Sequence, residues 1–214
     1  ITKTIPLKNE VNEIIGNFYK SLKNLNKDQV YGLLIHDVGD IDNEQFDLLY
    51  RKIIELKQQG MVSKIGFSTY TPEQVDFLLK NFDFDLIQVP FNVFDNRLIQ
   101  GGQFKALNNK GVEIHARSVF LQGILLDFNN IPSYFLTWKK EFNDYQKLVK
   151  DRGLSLIVYA LNYALNIEEI DKVLVGVNSK KQLIEIVNAV QKQVVTNAFT
   201  IDNVDLLNPI RWKL

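Results

Sequence analysis

Six short apolar runs in this chain end on residues that could handle a proton, a carbonyl or a phosphate. They close on Lys3, on His36-Asp37, on Ser68-Thr69, on Gln88 with Asn92, on Arg117-Ser118, and on Gly176-Val177-Asn178-Ser179. A strand lysine such as Lys3 is usually an exposed edge residue. Buried, its ammonium would lower the pKa of a neighbouring acid. His36 follows the very apolar stretch Tyr31-Gly32-Leu33-Leu34-Ile35. A lone histidine there is often a core residue with its hydrogen bonds satisfied, but a neutral imidazole could also donate to a substrate carbonyl. Asp37 reads as a cap or surface acid. No metal is expected, because the other histidine, His115, sits on a different run and no acid cluster completes a ligand set.

The elements that would position these groups alternate in type. The apolar runs cover about 1–5, 30–35, 64–67, 85–89, 112–116 and 173–177. Each has strand length, and most lack polar alternation, as parallel strands covered on both sides do. Helical spacing of apolar residues fills 9–25, 44–58, 96–108, 132–150, 154–165 and 179–190, and Thr71-Pro72 opens a further helix. Gly60 and Gly111 stand as stop signals. Six βα units in series fit a six-stranded open sheet, or a barrel carrying six of its eight units. Periodicity does not choose between them. There is no linker or low-complexity tract, so we expect one domain over residues 1–214. The apolar tail from Phe199 to Leu214 is expected to pack across the barrel or its mouth.

Composition removes several function classes. Lys and Arg number 25 against 25 acids, a formal net charge of zero, so nothing favours nucleic acid or an anionic membrane as partner. The absence of cysteine excludes disulfides, thiolate metal sites and thiol catalysis, and suits a cytoplasmic protein. No apolar run approaches the ~20 residues of a membrane helix. The glycine fingerprint of the open dinucleotide-binding sheet is missing, as are a phosphate-binding P-loop and a nucleophile elbow.

The strand ends resemble those of the aldo-keto reductases. The segments that carry the likeness are Ile1-Thr2-Lys3, Leu33 to Asp37, Gly60 to Ser68, Leu86 to Asn92, Arg117 to Leu125 and Val175 to Glu185, in the family's order and approximate spacing. The likeness runs from Lys3 to Trp212. It implies an α/β fold, a (β/α)8 barrel incomplete at its front, and an NAD(P)H-dependent reductase that turns an aldehyde or ketone into an alcohol by hydride transfer. Of the family's Asp, Tyr, Lys and His tetrad, Lys3 matches the lysine and His36 the histidine, while tyrosine and aspartate precede the lysine in the family. Two further βα units, roughly 60–90 residues, are therefore expected upstream.

The resemblance also implies a cofactor site. Ser68 and Gln88 match the positions that hold the nicotinamide carboxamide, whereas Thr69 stands where the family often has asparagine. Arg117 stands where many members stack a tyrosine on the ring. Ser118, Phe120, Gln122 and Gly123 match the loop along the pyrophosphate. Gly176, Val177, Asn178, Gln182 and Glu185 match the segment around the adenosine phosphate and adenine. Many NADPH-specific members carry Lys and Arg at the positions of Gly176 and Gln182, and here only Lys180 and Lys181 lie close. NADPH is the expected cofactor, with NADH as the alternative. Partners are a small-molecule carbonyl substrate and no nucleic acid or membrane; substrate identity and oligomeric state are not legible. Two other readings compete: a family-like barrel without catalysis that binds cofactor or regulates a partner, and an unrelated phosphate-binding barrel isomerase.

Overall fold

The apolar runs form one parallel sheet in the computed structural model, which describes residues 1–7 and 10–213. Its strands are β1 (Thr2–Lys3), β2 (Val30–Ile35), β3 (Val62–Ser68), β4 (Leu86–Pro90), β5 (Glu113–Arg117) and β6 (Lys172–Val173). They lie in sequence order, β1 through β6. An open doubly wound sheet reverses its strand order at a switch point, whereas a barrel wall does not. Uninterrupted order therefore selects the barrel where hydrophobic periodicity left both architectures standing.

Helices connect the strands. They are α1 (Val11–Leu25), α2 (Phe46–Gln58), α3 (Pro72–Asn81), α4 (Arg97–Gln100), α5 (Gln103–Asn109), α6 (Lys139–Asp151), α7 (Leu156–Leu165), α8 (Lys180–Val190) and α9 (Val204–Leu207). Several boundaries differ from the sequence reading. Helix α1 is seen from Val11, and the expected start at Asn9 lies outside the described residues, as does Leu214. The single helix expected over 96–108 is two, because Gly102, after Gly101, takes a left-handed φ of 79°. A tight 3-10 turn, Ser133–Trp138, precedes α6. Strand β1 stops at Lys3, with Pro6 unable to donate to a ladder. Strand β6 spans only Lys172–Val173, so 174–177 lies outside it.

Contacts group the chain into two compact units, Ile1–Val89 with Ala106–Ile114, and Pro90–Lys105 with His115–Leu214. The first buries the stripe Val11, Ile14, Phe18 and Leu22 of α1 and Phe46, Leu49, Ile53 and Leu56 of α2, with Leu33, Ile65, Phe67 and Ile87 of the strands. Between β3 and β4 the backbones come very close at Gly66, where a Cβ would sit 1.6 Å from the Leu86 carbonyl oxygen. At the N-terminal end of its strands, buried Glu113 accepts hydrogen bonds from the Tyr31 hydroxyl and the Lys64 ammonium.

In the second unit, Phe94, Phe142, Tyr145 and Tyr159 pack edge-on and stacked. Val158 and Leu161 of α7 meet Ile186 and Ala189 of α8. The side of α8 that adjoins this buried pair carries exposed Leu183, Ile184, Val187 and Val190. The tail rests on the loop after β4, with Phe199 and Ile201 donating backbone hydrogen bonds to the Val93 and Phe94 carbonyls. No helix among the described residues is long and apolar enough to cross a membrane.

Candidate active site

Sheet register shows which strand-end side chains of the first unit share a face. Lys3 pairs with Leu34, Leu34 with Gly66, and Gly66 with Leu86. In a strand, residues two apart point the same way. Two residues beyond that row lie His36, Ser68 and Gln88, and Ser68 pairs directly with Gln88. Register thus sets Lys3, Ser68 and Gln88 on one face at the C-terminal strand ends, and His36 follows directly after the end of β2.

The side chains differ in exposure. Lys3 is half-buried and its Nζ donates to Ser68 Oγ at 3.2 Å. Ser68 is 1% exposed and Gln88 7%. His36 is exposed, and its backbone N–H donates to Thr4 Oγ1 at 3.2 Å. Asp37 is a cap, as expected: its Oδ1 accepts the Gly39 N–H at 2.9 Å and opens a 3-10 turn, Val38–Asp42. That turn was not foreseen, nor was Asp40 within it. Asp40 Oδ1 accepts the Leu7 N–H at 3.0 Å, and burial holds its carboxyl above the ordinary carboxylate range against the pull of that bond. A groove of about 280 Å³ runs beside Lys3 along Ile14, Phe18 and Ser21 of α1, but His36, Ser68 and Gln88 do not line it.

In the second unit, Arg117 ends β5 and its Nη1 donates to Ser118 Oγ at 3.2 Å. The loop that follows is strained. Ser118, Leu121 and Gln122 take φ values of 60°, 45° and 56°, followed by Gly123 at 94°. A left-handed non-glycine residue costs about 1–2 kcal/mol, and such outliers cluster where a loop must hold one functional shape. Val119 and Leu121 anchor it in the core, leaving Gln122 and Gly123 exposed. Phe120 packs against the α7–α8 cluster.

Residues 176–185 are all exposed. Ser179 caps α8, accepting the Gln182 N–H at 3.2 Å, while Gln182 Oε1 accepts the Asn178 N–H at 2.7 Å. Glu185 lies 4.0 Å from Lys181 one turn away. Gly176 and Val177 precede this cap without a strand around them. Gln182 and Glu185 therefore already serve the helix's own first turns. Among the described residues, no three His, Cys, Asp or Glu side chains are grouped to hold a metal ion.

Parallel strands in uninterrupted sequence order define the class of the fold, a barrel of alternating strands and helices, and comparison narrows it. A profile of the aldo/keto reductase family matches residues 2–204, so the chain belongs to that family. Among solved structures it is similar to the aldo-keto reductase AKR11C1 of Bacillus halodurans in its holo form, with 24% identity and a TM-score of 0.71, over 88% of this chain and 65% of that one. It is similar also to the glycerol dehydrogenase AKR11B4 of Gluconobacter oxydans, with 19% identity and a TM-score of 0.58, over 86% of this chain and 65% of that one. The chain thus spans just under two thirds of each of these relatives. No functionally curated protein matches it.

Proposed function

We propose that this protein is an oxidoreductase that reduces an aldehyde or ketone to the alcohol with NADPH, NADH being the alternative donor. The observation that carries the reading is the shared face of Lys3, Ser68 and Gln88 at the C-terminal strand ends, with His36 immediately after the end of the neighbouring strand. Lys3 and His36 are the proposed catalytic residues. The alcohol oxygen also needs a proton, which in the family's pattern comes from a tyrosine preceding the lysine; a neighbouring cation lowers that phenol's pKa from near 10, and Lys3 is the cation proposed to do so. His36 orients the carbonyl by hydrogen bonding to its oxygen. When bound, the nicotinamide supplies the hydride.

The residues present fit such a cofactor. Ser68 and Gln88, buried and adjacent, offer the mixed donors and acceptors that a carboxamide requires. Arg117 presents a planar guanidinium able to stack on a ring. Ser118, Phe120, Gln122 and Gly123 belong to the strained loop proposed for the pyrophosphate, and Gly176, Val177, Asn178, Gln182 and Glu185 to the segment proposed for the adenosine end. Lys181, 86% exposed, and Lys180 beside it are the cations that would favour a 2′-phosphate. The same reading makes residues 1–214 one barrel domain of a cytoplasmic enzyme acting on a small-molecule carbonyl.

The test is fluorescence titration of the chain with NADPH and with NADH, followed by turnover in the protein as its gene encodes it. NADPH should bind, and Lys3→Met and His36→Ala should each cut kcat by about 100-fold, the scale of general acid–base and positioning effects, while Kd for NADPH stays within about twofold. No binding of either nucleotide sinks the reading. Binding without turnover leaves the cofactor-binding barrel that lacks catalysis.

A further inference from the structure

We propose that Asp40, acting with Asn43 and Thr4, is a positioning residue that clamps the segment after Lys3 to the loop bearing His36 and so sets the two proposed catalytic side chains against each other. The inference rests on the functional reading above.

Strand β1 is only two residues long, so its ladder gives Lys3 little hold on β2. Beyond the ladder, the Thr4 N–H donates to the Leu34 carbonyl at 2.9 Å. Side chains add further ties. Asp40 Oδ1 accepts the Leu7 N–H at 3.0 Å. Asn43 Nδ2 donates to the Leu7 carbonyl at 3.0 Å. Both polar groups of one buried residue, 3% exposed, are therefore grasped by two side chains from the loop after β2. In return, Thr4 Oγ1 accepts the N–H of His36 itself.

The loop is shaped for this grip. Asp37 closes its first turn on Gly39, and the Asn43 N–H donates to the Asp40 carbonyl at 3.0 Å, fixing the two gripping residues relative to each other. The second carboxylate oxygen of Asp40 is buried without a hydrogen-bond partner among the described residues. A buried acceptor left unsatisfied costs stability.

The experiment compares Asp40→Ala, Asp40→Asn and Asn43→Ala in the protein as its gene encodes it, by steady-state kinetics and by amide hydrogen exchange. Misplacement by an ångström or less can cost one to two orders of magnitude in rate. Asp40→Ala and Asn43→Ala should each lower kcat about tenfold, with KM for NADPH within about twofold of the parent value. Asp40→Asn should restore kcat to within about threefold, since an amide oxygen can still take the Leu7 N–H. Exchange should accelerate at Leu7 and His36 together in Asp40→Ala. Parental kcat in both alanine variants overturns the clamp, as does equal loss in Asp40→Asn and Asp40→Ala. If the parent shows no cofactor-dependent turnover, the functional reading has failed, and exchange decides the clamp alone: an unchanged His36 amide in Asp40→Ala overturns it.

Discussion

Two buried tyrosines of the second unit show how one hydroxyl can stabilise and another cannot. The Tyr163 hydroxyl donates to Asn96 Oδ1, and Asn96 in turn donates to the Val93 carbonyl and to Thr200 Oγ1. The Tyr145 hydroxyl is buried with no hydrogen-bond partner among the described residues. Removing an unsatisfied hydroxyl removes a desolvation penalty, whereas removing a paired one strands its acceptor at about 1–3 kcal/mol. Tyr145→Phe should therefore leave the unfolding midpoint unchanged or raise it, and Tyr163→Phe should lower it. Burial pushes the Tyr163 phenol up to about 12 from its usual 10. The folded state then holds a proton that the unfolded chain has lost, so stability is full below pH 10 and falls as pH rises toward 12. The melting midpoint should fall with pH across that window less steeply in Tyr163→Phe than in the parent, while Tyr145 and Tyr50, also held above the usual value by burial, keep part of the slope; an identical slope would refute the assignment. The strand-end positions of Lys3, His36, Ser68 and Gln88 were legible because polar residues closing apolar runs stand out in a sequence. Asp40 and Asn43 were not, since their partner is a backbone N–H and C=O some 33 and 36 residues away, and backbone groups leave no trace in composition.

Elements were readable where local rules decide them. Thr71 caps α3 in a reciprocal box with Gln74, as its position before Pro72 implies. Most of the expected apolar stripes of α1 and α2 is buried, although Ile15 and Ile54 are only half-buried and Leu25, at the end of α1, is exposed. Prediction faltered where tertiary contact or a glycine pair intervened: α4 and α5 part at Gly101-Gly102, and β6 shrinks to two residues although five apolar-run positions were expected. Periodicity could not give strand order, because a run of βα units has the same periodicity in an open sheet and in a barrel; the family likeness of the strand-end motifs did point to the barrel. Gly66 is the sharpest case of a residue chosen by its neighbour. Its missing side chain lets β3 approach the β4 backbone, and a methyl group would collide with the carbonyl of Leu86. Because backbone cannot step aside as a side chain can, Gly66→Ala should destabilise by more than about 3 kcal/mol, beyond the usual range for overpacking. Chemical denaturation would show this as a large drop in midpoint; a loss below about 1 kcal/mol would mean that the strands separate easily there.

At the scale of the molecule, charge and apolar surface act together. With 25 cationic and 25 acidic side chains, the chain has no net charge to keep copies apart near neutrality. Exposed Leu183, Ile184, Val187 and Val190 line one side of α8, each between 43% and 49% accessible. Copies of this 214-residue chain should therefore attract one another, and Ile184→Glu with Val187→Lys should suppress the attraction in sedimentation or light scattering. Association that persists unchanged in the double variant would place the sticky surface elsewhere. The sign of the temperature effect follows as well. Near room temperature, covering aliphatic surface is driven by the entropy of released water, so this attraction should strengthen between about 5 and 35 °C, whereas attraction through ion pairs or hydrogen bonds would fade on warming. Cold samples would stay clear and warm ones would cloud, well below any melting transition.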